Sequence, residues 1–241
     1  MDIGIGENAQ NLRTVYEQLR DKKRADHKGQ IFVFSAAQSG CGTSYVARNM
    51  ALVAGQSLLE GDQVLLVDMD VQKNAQSDYF STPEAGRRYG GVSGPYDASF
   101  NVEPFWKITP SVVGDPEHLI SNGHYMSLHM LGNIPLSFTR FHWEYFKHGQ
   151  NVHIQNARAY WHALRDHFAV VIVDTPAMDR SHIHDTICPE ADANILVSSH
   201  VDARSQALSN AATDLKKMGA QCSGVILNHI PSTAKNYGEQ I

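Results

Sequence analysis

The stretch Ile31–Asn49, IFVFSAAQSGCGTSYVARN, decides the fold. It has the layout of a phosphate-binding P-loop, in which an apolar strand is followed by a glycine-rich turn and then a helix. Gly40 and Gly42 supply the turn, and Ser44 stands where a hydroxyl would meet Mg²⁺. Thr43 occupies the place of the usual lysine. The sequence therefore keeps the phosphate cradle and lacks the cation that holds the β- and γ-phosphates.

The loop supplies most of the candidate nucleotide-binding residues, and it predicts ATP or ADP with Mg²⁺ as the cofactor. One further candidate follows the last predicted strand, at the edge of an open α/β sheet where ligands bind. The candidate binding residues are Ser39, Gly40, Cys41, Gly42, Thr43, Ser44, Tyr45 and Asn228.

The composition favours a soluble globular protein. Of the 241 residues, 42% are hydrophobic and 19% are charged, and the longest apolar runs are too short to span a bilayer. The net charge of −5 argues against non-specific nucleic-acid binding. Three well-separated cysteines and no visible signal peptide favour a reduced, cytoplasmic protein. We therefore expect no direct membrane insertion and no nucleic-acid partner.

Hydrophobic periodicity predicts an α/β fold, a mostly parallel sheet with helices on both faces. We expect an N-terminal helix and linker over residues 1–28, then a single P-loop NTPase-like domain over 29–241. Its middle, residues 80–156, gives a weak signal, with one strand expected over 125–132. The predicted strands are 31–35, 64–68, 168–174, 194–198 and 225–228, and the predicted helices are 8–24, 44–59, 154–167 and 204–218.

Carboxylates follow two of the predicted strands. Asp68 and Asp70 come at the end of LLVDMD, and Asp174 ends VVIVD just before a Thr-Pro pair. Carboxylates beside a phosphate loop hold Mg²⁺ or orient a nucleophile. We therefore predict Asp68, Asp70 and Asp174 as catalytic residues, and Ser44, Asp68 and Asp174 as the metal ligands. A His-x-His pair, His182 and His184, is an alternative metal site with the neighbouring Asp185.

Four motifs together carry a resemblance to a known family. They are Ser35–Tyr45 followed by Asn49–Ala51, the D-x-D of Asp68–Gln72, the D-T-P of Val171–Pro176, and GVILN at Gly224–Asn228. In this order they resemble the cytoplasmic domain of the bacterial tyrosine kinases (BY-kinases) of capsule and exopolysaccharide systems. That family is related to the septum-positioning and chromosome-partitioning ATPases with a deviant Walker motif. The resemblance covers the first and last eighty residues well and the middle poorly.

The chain departs from the family pattern at positions that matter for catalysis. Thr43 replaces the Walker lysine, Gln72 replaces an arginine, and Gln38 stands where the partitioning ATPases have their signature lysine. The family's kinases end in a tyrosine-rich tail, whereas the last residues of this sequence, PSTAKNYGEQI, contain Tyr237 alone. The fold is therefore expected to be kept and kinase activity to be weak or absent.

The family's subunit-contact helix, E-x-x-R-x-x-R, aligns with Thr14–Arg20, where only Arg20 matches. We therefore expect a monomer or dimer in place of a ring.

The resemblance implies an accessory or regulatory role in envelope exopolysaccharide biosynthesis or export. The implied partner is a membrane-embedded polysaccharide co-polymerase, which would recruit this cytoplasmic protein to the inner membrane. One alternative is an active ATPase or tyrosine kinase that uses another cation, with Arg48, Lys73 and Arg180 as candidates. A second alternative is a positioning ATPase of the partitioning type.

Overall fold

The computed structural model describes residues 8–21, 28–111, 122–200 and 202–228. The strands are β1 (Gln30–Ser35), β2 (Val64–Asp68), β3 (Val92–Asp97), β4 (Trp106–Thr109), β5 (Met126–Leu131), β6 (Leu136–Phe141), β7 (Asn151–Ile154), β8 (Val170–Asp174), β9 (Ala193–Ser199) and β10 (Cys222–Asn228). The helices are α1 (Asn8–Arg20), α2 (Thr43–Ser57), α3 (Ala75–Phe80), α4 (Pro83–Tyr89), α5 (Arg158–His167), α6 (His184–Ile187) and α7 (Gln206–Lys217).

Eight strands form one sheet in the order β10-β9-β1-β8-β2-β6-β5-β3. The six strands from β10 to β6 pair in parallel, and β5 is antiparallel to both β6 and β3. β4 and β7 form a separate antiparallel pair. The fold class predicted from the sequence is therefore confirmed. β1 lies between β9 and β8, which places the loop after β1 near the middle of the sheet edge.

Alternating side chains of the central strand face two hydrophobic cores, as the period of a buried strand requires. Phe32 and Phe34 belong to the core that contains α2 and the apolar face of α1. Ile31 and Val33 belong to the core on the opposite face, with α5 and α7. Helices therefore cover both faces of the sheet, and all six residues of β1 are buried.

The N-terminal helix α1 packs on its own domain. Leu12, Tyr16 and Leu19 are buried in the core that α2 shares. Arg20 Nη1 donates to Gln30 Oε1 at 3.1 Å and to the Ala169 carbonyl at 3.2 Å. The arginine that matches the family's subunit-contact motif is thus engaged within the chain. The end of the predicted helix at residues 22–24 lies outside the described residues, as does Tyr237.

The middle of the chain contains more structure than its sequence signal indicates. The strand expected over 125–132 is β5, and β6 follows it to extend the main sheet. The helix predicted to begin at residue 154 begins at Arg158, because Asn151–Ile154 pairs with β4 as strand β7. Of the helices in the described parts of the chain, none is both long and apolar enough to cross a bilayer.

A buried arginine ties α5 to the start of β1. The side chain of Arg165 is only 3% exposed, and its Nη1 donates to the Gly29 carbonyl at 2.8 Å. Arg165 also pairs with Asp192, whose carboxylate accepts the N–H of Ile31 at 2.7 Å. A buried pair is expensive to break because one charge is left without its partner. This contact therefore fixes the position of the start of β1 relative to α5.

We predict that Arg165→Met lowers the free energy of unfolding by about 3–5 kcal/mol, since it removes a buried guanidinium that contacts the largely buried Asp192 carboxylate. Urea denaturation followed by circular dichroism measures this change. Arg158→Met is the matched control, because Arg158 sits on the same helix in an ion pair with Glu190 while its side chain is 76% exposed. The control should change stability by at most about 1 kcal/mol. Equal losses in the two variants would contradict the structural role of Arg165.

Candidate functional site

The glycine-rich loop leaves β1 after Ser35 and enters α2 at Thr43. Gly40 has a φ of +90° and Gly42 a φ of +81°, in the left-handed region that favours glycine. A Cβ at Gly40 would meet nothing within 4 Å, so glycine is required there by backbone conformation and not by lack of room. The turn therefore has the conformation expected of a phosphate cradle.

Two contacts hold this loop against the rest of the sheet edge. Asn228 Nδ2, at the end of β10, donates to the Cys41 carbonyl at 3.0 Å. The N–H of Met178 donates to the Ala36 carbonyl at 2.8 Å. The structure thus brings Asn228, a candidate from the far end of the sequence, onto the loop.

An unpredicted carboxylate lies on the loop. Ser39 donates its backbone N–H to Asp179 at 3.2 Å and its hydroxyl to the same carboxylate at 3.1 Å. The loop N–H groups of a P-loop are the donors that phosphate uses. One of these donors is therefore already bound to an anion that belongs to the chain.

Asp68 and Asp174 occupy equivalent positions on neighbouring parallel strands, β2 and β8. Both are buried, with exposures of 2% and 0%. The Asp68 carboxylate accepts the N–H of Asp70 at 3.0 Å and the N–H of Gln76 at 3.1 Å. Asp174 Oδ2 accepts Gln76 Nε2 at 2.7 Å, and its buried Oδ1 has no hydrogen-bond partner. The two predicted carboxylates are thus held together by a residue that the sequence analysis missed.

Burial sets the protonation of this pair. Desolvation, with the nearby charge of Asp174, raises the pKa of Asp68 well above its ordinary value. Desolvation also raises the pKa of Asp174 to about 6, although the Ser44 hydroxyl and the Gln76 amide lower it. Since both shifts favour the neutral acid, the pair holds protons more tightly than exposed carboxyls do.

Gln76, at the start of α3, is the organising side chain. It is fully buried, and besides Asp174 its Nε2 contacts the Ser44 carbonyl at 3.0 Å. Its Oε1 accepts Arg48 Nη1 at 3.3 Å, and the Arg48 guanidinium lies 3.8 Å from the centre of the Tyr79 ring. Burial lowers the pKa of Arg48. Arg48 is thus linked to the buried carboxylates through one amide.

Asp70 lies apart from this amide bridge and is neutralised by the other two candidate cations. Arg180 Nη1 lies 3.1 Å from Asp70 Oδ2, and Lys73 Nζ lies 3.5 Å from the same oxygen. The structure therefore places the buried Asp70 carboxylate in ion pairs with two partly exposed cations. None of these contacts brings Arg180 or Lys73 onto the glycine-rich loop.

The residues of this site fit a magnesium ion, because they supply oxygen ligands. They fit the phosphate-binding part of a P-loop less well, because Thr43 stands at the position of the lysine. The unpartnered Asp174 Oδ1 is an oxygen ligand of the kind that Mg²⁺ prefers, and the Ser44 hydroxyl and Asp68 lie beside it. In the parts of the chain that the structure describes, no group of three or more His, Cys, Asp or Glu side chains is close enough to hold a metal. Water or phosphate oxygens would therefore complete the coordination.

The alternative metal site around His184 is not formed within the described residues. His184 is buried, its Nε2 contacts Thr175 Oγ1 at 3.1 Å, and its Nδ1 contacts the Ser181 carbonyl at 3.1 Å. Thr175 Oγ1 lies 2.9 Å from Ser35 Oγ at the end of β1. Both ring nitrogens of His184 are thus used to brace the sheet edge under the loop.

The fold is that of the P-loop NTPase-like α/β proteins. No family profile and no curated protein matches the chain. Among solved structures it is similar to the kinase domain of the Escherichia coli tyrosine kinase ETK, with 16% identity, a TM-score of 0.65, and coverage of 94% of this chain and 77% of that one. The chimerical protein CapA2B2 is also similar, with 16% identity, a TM-score of 0.63, and coverage of 95% and 87%.

The MinC:MinD cell division complex of Aquifex aeolicus gives a further match, with 15% identity, a TM-score of 0.53, and coverage of 87% of this chain and 73% of that one. The resemblance drawn from the sequence is therefore confirmed as a likeness of fold to BY-kinase domains and MinD-type ATPases. At these identities the likeness says nothing about activity.

We predict that the free energy of unfolding falls as pH rises from about 4 to about 6 when metal is chelated, because folding raises the pKa of Asp174 and the folded state then binds more protons. Asp174→Asn should reduce this slope, and the part that remains would come from Asp68, whose pKa is also raised. It should also stabilise the protein above pH 6 by on the order of 2 kcal/mol. Urea denaturation at a series of pH values in EDTA measures both effects.

Asp185→Asn is the control for this titration, because Asp185 is exposed and lies outside the buried pair. It should leave the slope as it is in the wild type. Adding Mg²⁺ should then stabilise the wild type above pH 6 and leave Asp174→Asn unchanged. A slope that Asp174→Asn does not alter would show that the buried carboxyl does not titrate in this range.

Proposed function

We propose that this chain is a degenerate, BY-kinase-like P-loop protein that binds Mg²⁺-nucleotide weakly and has little or no catalytic turnover. Thr43, at the position of the Walker lysine, is the observation that carries the proposal. The described contacts around the loop add Asp179 on the Ser39 N–H, which places a negative charge where phosphate would bind. Asp68, Asp174, Ser44 and the backbone cradle are retained, so binding is expected to survive better than catalysis.

The size of the expected catalytic loss follows from electrostatics. Removing one preorganised donor from a transition state costs about 2.7–4 kcal/mol, or about 10²–10³ in rate. A phosphate-clamping lysine is a full charge in the same role. Binding of the nucleotide in its ground state depends on the loop N–H groups and on Mg²⁺ as well as on the lysine. The chain still supplies the N–H groups and oxygen ligands for Mg²⁺.

The cellular role we propose is that of an accessory or regulatory factor in envelope exopolysaccharide biosynthesis or export. The resemblance of the four motifs to the BY-kinases supports this choice, together with the fold likeness to the kinase domain of ETK. The proposed partner is a membrane-embedded polysaccharide co-polymerase, and the proposed location is the cytoplasm with recruitment to the inner membrane. The chain would act there through protein contacts whose state depends on nucleotide.

The second candidate function is an active ATPase or tyrosine kinase in which Arg48 replaces the lysine. The contact of Arg48 with Gln76, which in turn binds Asp174, favours Arg48 over Lys73 and Arg180. A positioning ATPase is the third candidate, on the strength of the fold likeness to MinD. The net charge of −5 counts against a nucleic-acid-bound form of it.

We predict that Thr43→Lys raises the affinity for Mg²⁺-ADP at least about tenfold, equivalent to about 1.4 kcal/mol, because it returns a cation to the phosphate position. Isothermal titration calorimetry with and without Mg²⁺ measures this gain. Gln38→Lys is the comparison variant, since it places the same charge on an exposed residue of the same loop, at the position where the partitioning ATPases have their signature lysine. A larger gain from Gln38→Lys would favour the partitioning type of site.

Wild-type hydrolysis at the rate of an ordinary P-loop ATPase would overturn the pseudoenzyme proposal. In that case Arg48→Ala separates the remaining candidates. Loss of turnover with Arg48→Ala, under conditions in which the protein stays folded, would identify Arg48 as the replacement cation.

We predict that the purified protein is a monomer or dimer, with or without nucleotide, because α1 buries its apolar face on its own domain and Arg20 is engaged there. Light scattering after size-exclusion chromatography measures the mass. A stable octamer-sized species that dissociates on Arg20→Ala would contradict this expectation.

A further inference from the structure

A second cluster of reactive side chains lies on the antiparallel side of the sheet, away from the P-loop. Ser127 on β5 has its hydroxyl oxygen 2.7 Å from His142 Nε2. His142 Nδ1 is 2.8 Å from Glu144 Oε1. The three residues, called here the Ser127 cluster, follow the order nucleophile, base and orienting carboxylate. β5 and β6 bring them together because Ser127 pairs with Arg140, two residues before His142.

The hydrogen bonds fix which nitrogen of His142 carries the proton. Since the Glu144 carboxylate only accepts, Nδ1 of His142 must be the N–H donor. The Nε2 lone pair of neutral His142 then points at the Ser127 hydroxyl and accepts its proton. A second imidazole, His129, contacts Ser127 Oγ at 2.8 Å through Nε2 and can only donate to it. The serine is therefore held by a base on one side and a donor on the other.

The surroundings support this state of the cluster. Ser127 and His142 are each 5% exposed, and the ring of His142 stacks on Tyr145 with centroids 5.0 Å apart. Arg140 Nη2 lies 3.0 Å from Glu144 Oε1. Desolvation on its own would raise the pKa of Glu144, but the hydrogen bond from His142 and the charge of Arg140 bring it below its ordinary value. Glu144 is thus an anion at neutral pH.

The cluster opens into a cavity of about 600 Å³ that Ser127 and His142 line. Tyr96 and Tyr145 border it and are 49% and 43% exposed, so their rings offer flat apolar surface to a ligand. Asp97 and Glu103 line the same cavity. The two carboxylates disfavour an anionic ligand, and the rings accept a ligand that carries no negative charge. None of the P-loop candidates lines this cavity.

We propose that the Ser127 cluster is a hydrolytic site for a carboxylic ester that carries no negative charge, with Ser127 as nucleophile, His142 as general base and Glu144 as the positioning residue. Ser127 Oγ attacks the ester carbonyl while its proton passes to His142 Nε2. The bond from the acyl carbon to the alcohol oxygen breaks, and the proton from His142 converts the leaving alkoxide to the alcohol. Water, deprotonated by His142, then cleaves the acyl-serine to the carboxylic acid and free Ser127.

A metal-binding role for the same histidines has less support. His129 and His142 direct their Nε2 atoms at a single oxygen, but the described residues bring no third His, Cys, Asp or Glu ligand to that point. A purely structural role would leave the serine unreactive, and this difference is what the test measures.

The test uses the full chain with 4-nitrophenyl acetate and, separately, a fluorophosphonate probe. Intact mass spectrometry followed by peptide mapping should find one acetyl or phosphonyl group on Ser127. The reaction should occur with the folded protein and disappear in urea. Because this comparison needs no variant, it tests the proposal even if a substitution prevents folding. Failure of the folded protein to acquire either group at Ser127 would overturn the proposal.

Variants assign the roles. Ser127→Ala should abolish the modification, and His142→Gln should slow it about 100-fold by removing the general base. Glu144→Gln should slow it about tenfold or more, with partial rescue by Glu144→Asp, as expected of a residue that acts through His142. Ser137→Ala is the matched control, since Ser137 is an equally buried serine on β6. A rate in His142→Gln equal to that of the wild type would also overturn the proposal.

An anionic acyl donor tests the predicted substrate class. Acetyl phosphate, a negatively charged mixed anhydride, should acetylate Ser127 at least about tenfold more slowly than neutral 4-nitrophenyl acetate, after correction for their intrinsic reactivities, because Asp97 and Glu103 repel it. Equal corrected rates would remove the assignment to esters without negative charge.

Discussion

The structure of the loop edge depends on two carboxylates that are buried side by side. Asp68 and Asp174 sit at matched positions on β2 and β8, where neighbouring strands lie about 4.8 Å apart. Like charges at that spacing, away from water, cannot both be ionised without a large free-energy cost. Hydrogen bonds from Gln76 reduce this cost, and so does a bound proton, which the raised pKa values favour. A divalent cation would offset it further. The ends of β2 and β8 and the starts of α3 and α2 meet at this pair, since Gln76 contacts both carboxylates and the Ser44 carbonyl.

The same constraint explains how the loop edge differs from an ordinary phosphate site. Among the residues described, the positive groups near the carboxylate pair contact its neighbours. Arg48 contacts Gln76, and Arg180 and Lys73 contact Asp70. No such group stands at position 43. The loop edge therefore combines carboxylate and hydroxyl oxygens of the kind that suit a metal with a threonine at the position of the usual lysine.

Sequence reasoning located the features that a strong local pattern encodes. The glycine turn, Asp68, Asp174 and Asn228 follow continuous apolar strands, and such strands can be recognised from residue types alone. Gln76 was missed because it begins a helix of only six residues, which is too short to give a period. Asp179 was missed because its role depends on the path of the loop after β8. The Ser127 cluster was missed because its members lie on two strands and a turn whose pairing no local signal predicts.

Strand β6 lies between the loop edge, where Asp68 sits, and the Ser127 cluster. Thr139 on this strand accepts the N–H of Asp68 at 2.9 Å, and His142 follows three residues later. Asn74, just before α3, binds both backbone polar groups of Phe141 at 2.8 Å. A displacement of Asp68 or α3 would therefore reach the strand that carries Arg140 and leads into His142. Any factor by which binding at the loop edge changed the affinity of the cavity would, by thermodynamic reciprocity, equal the factor by which an occupied cavity changed the affinity of the loop edge.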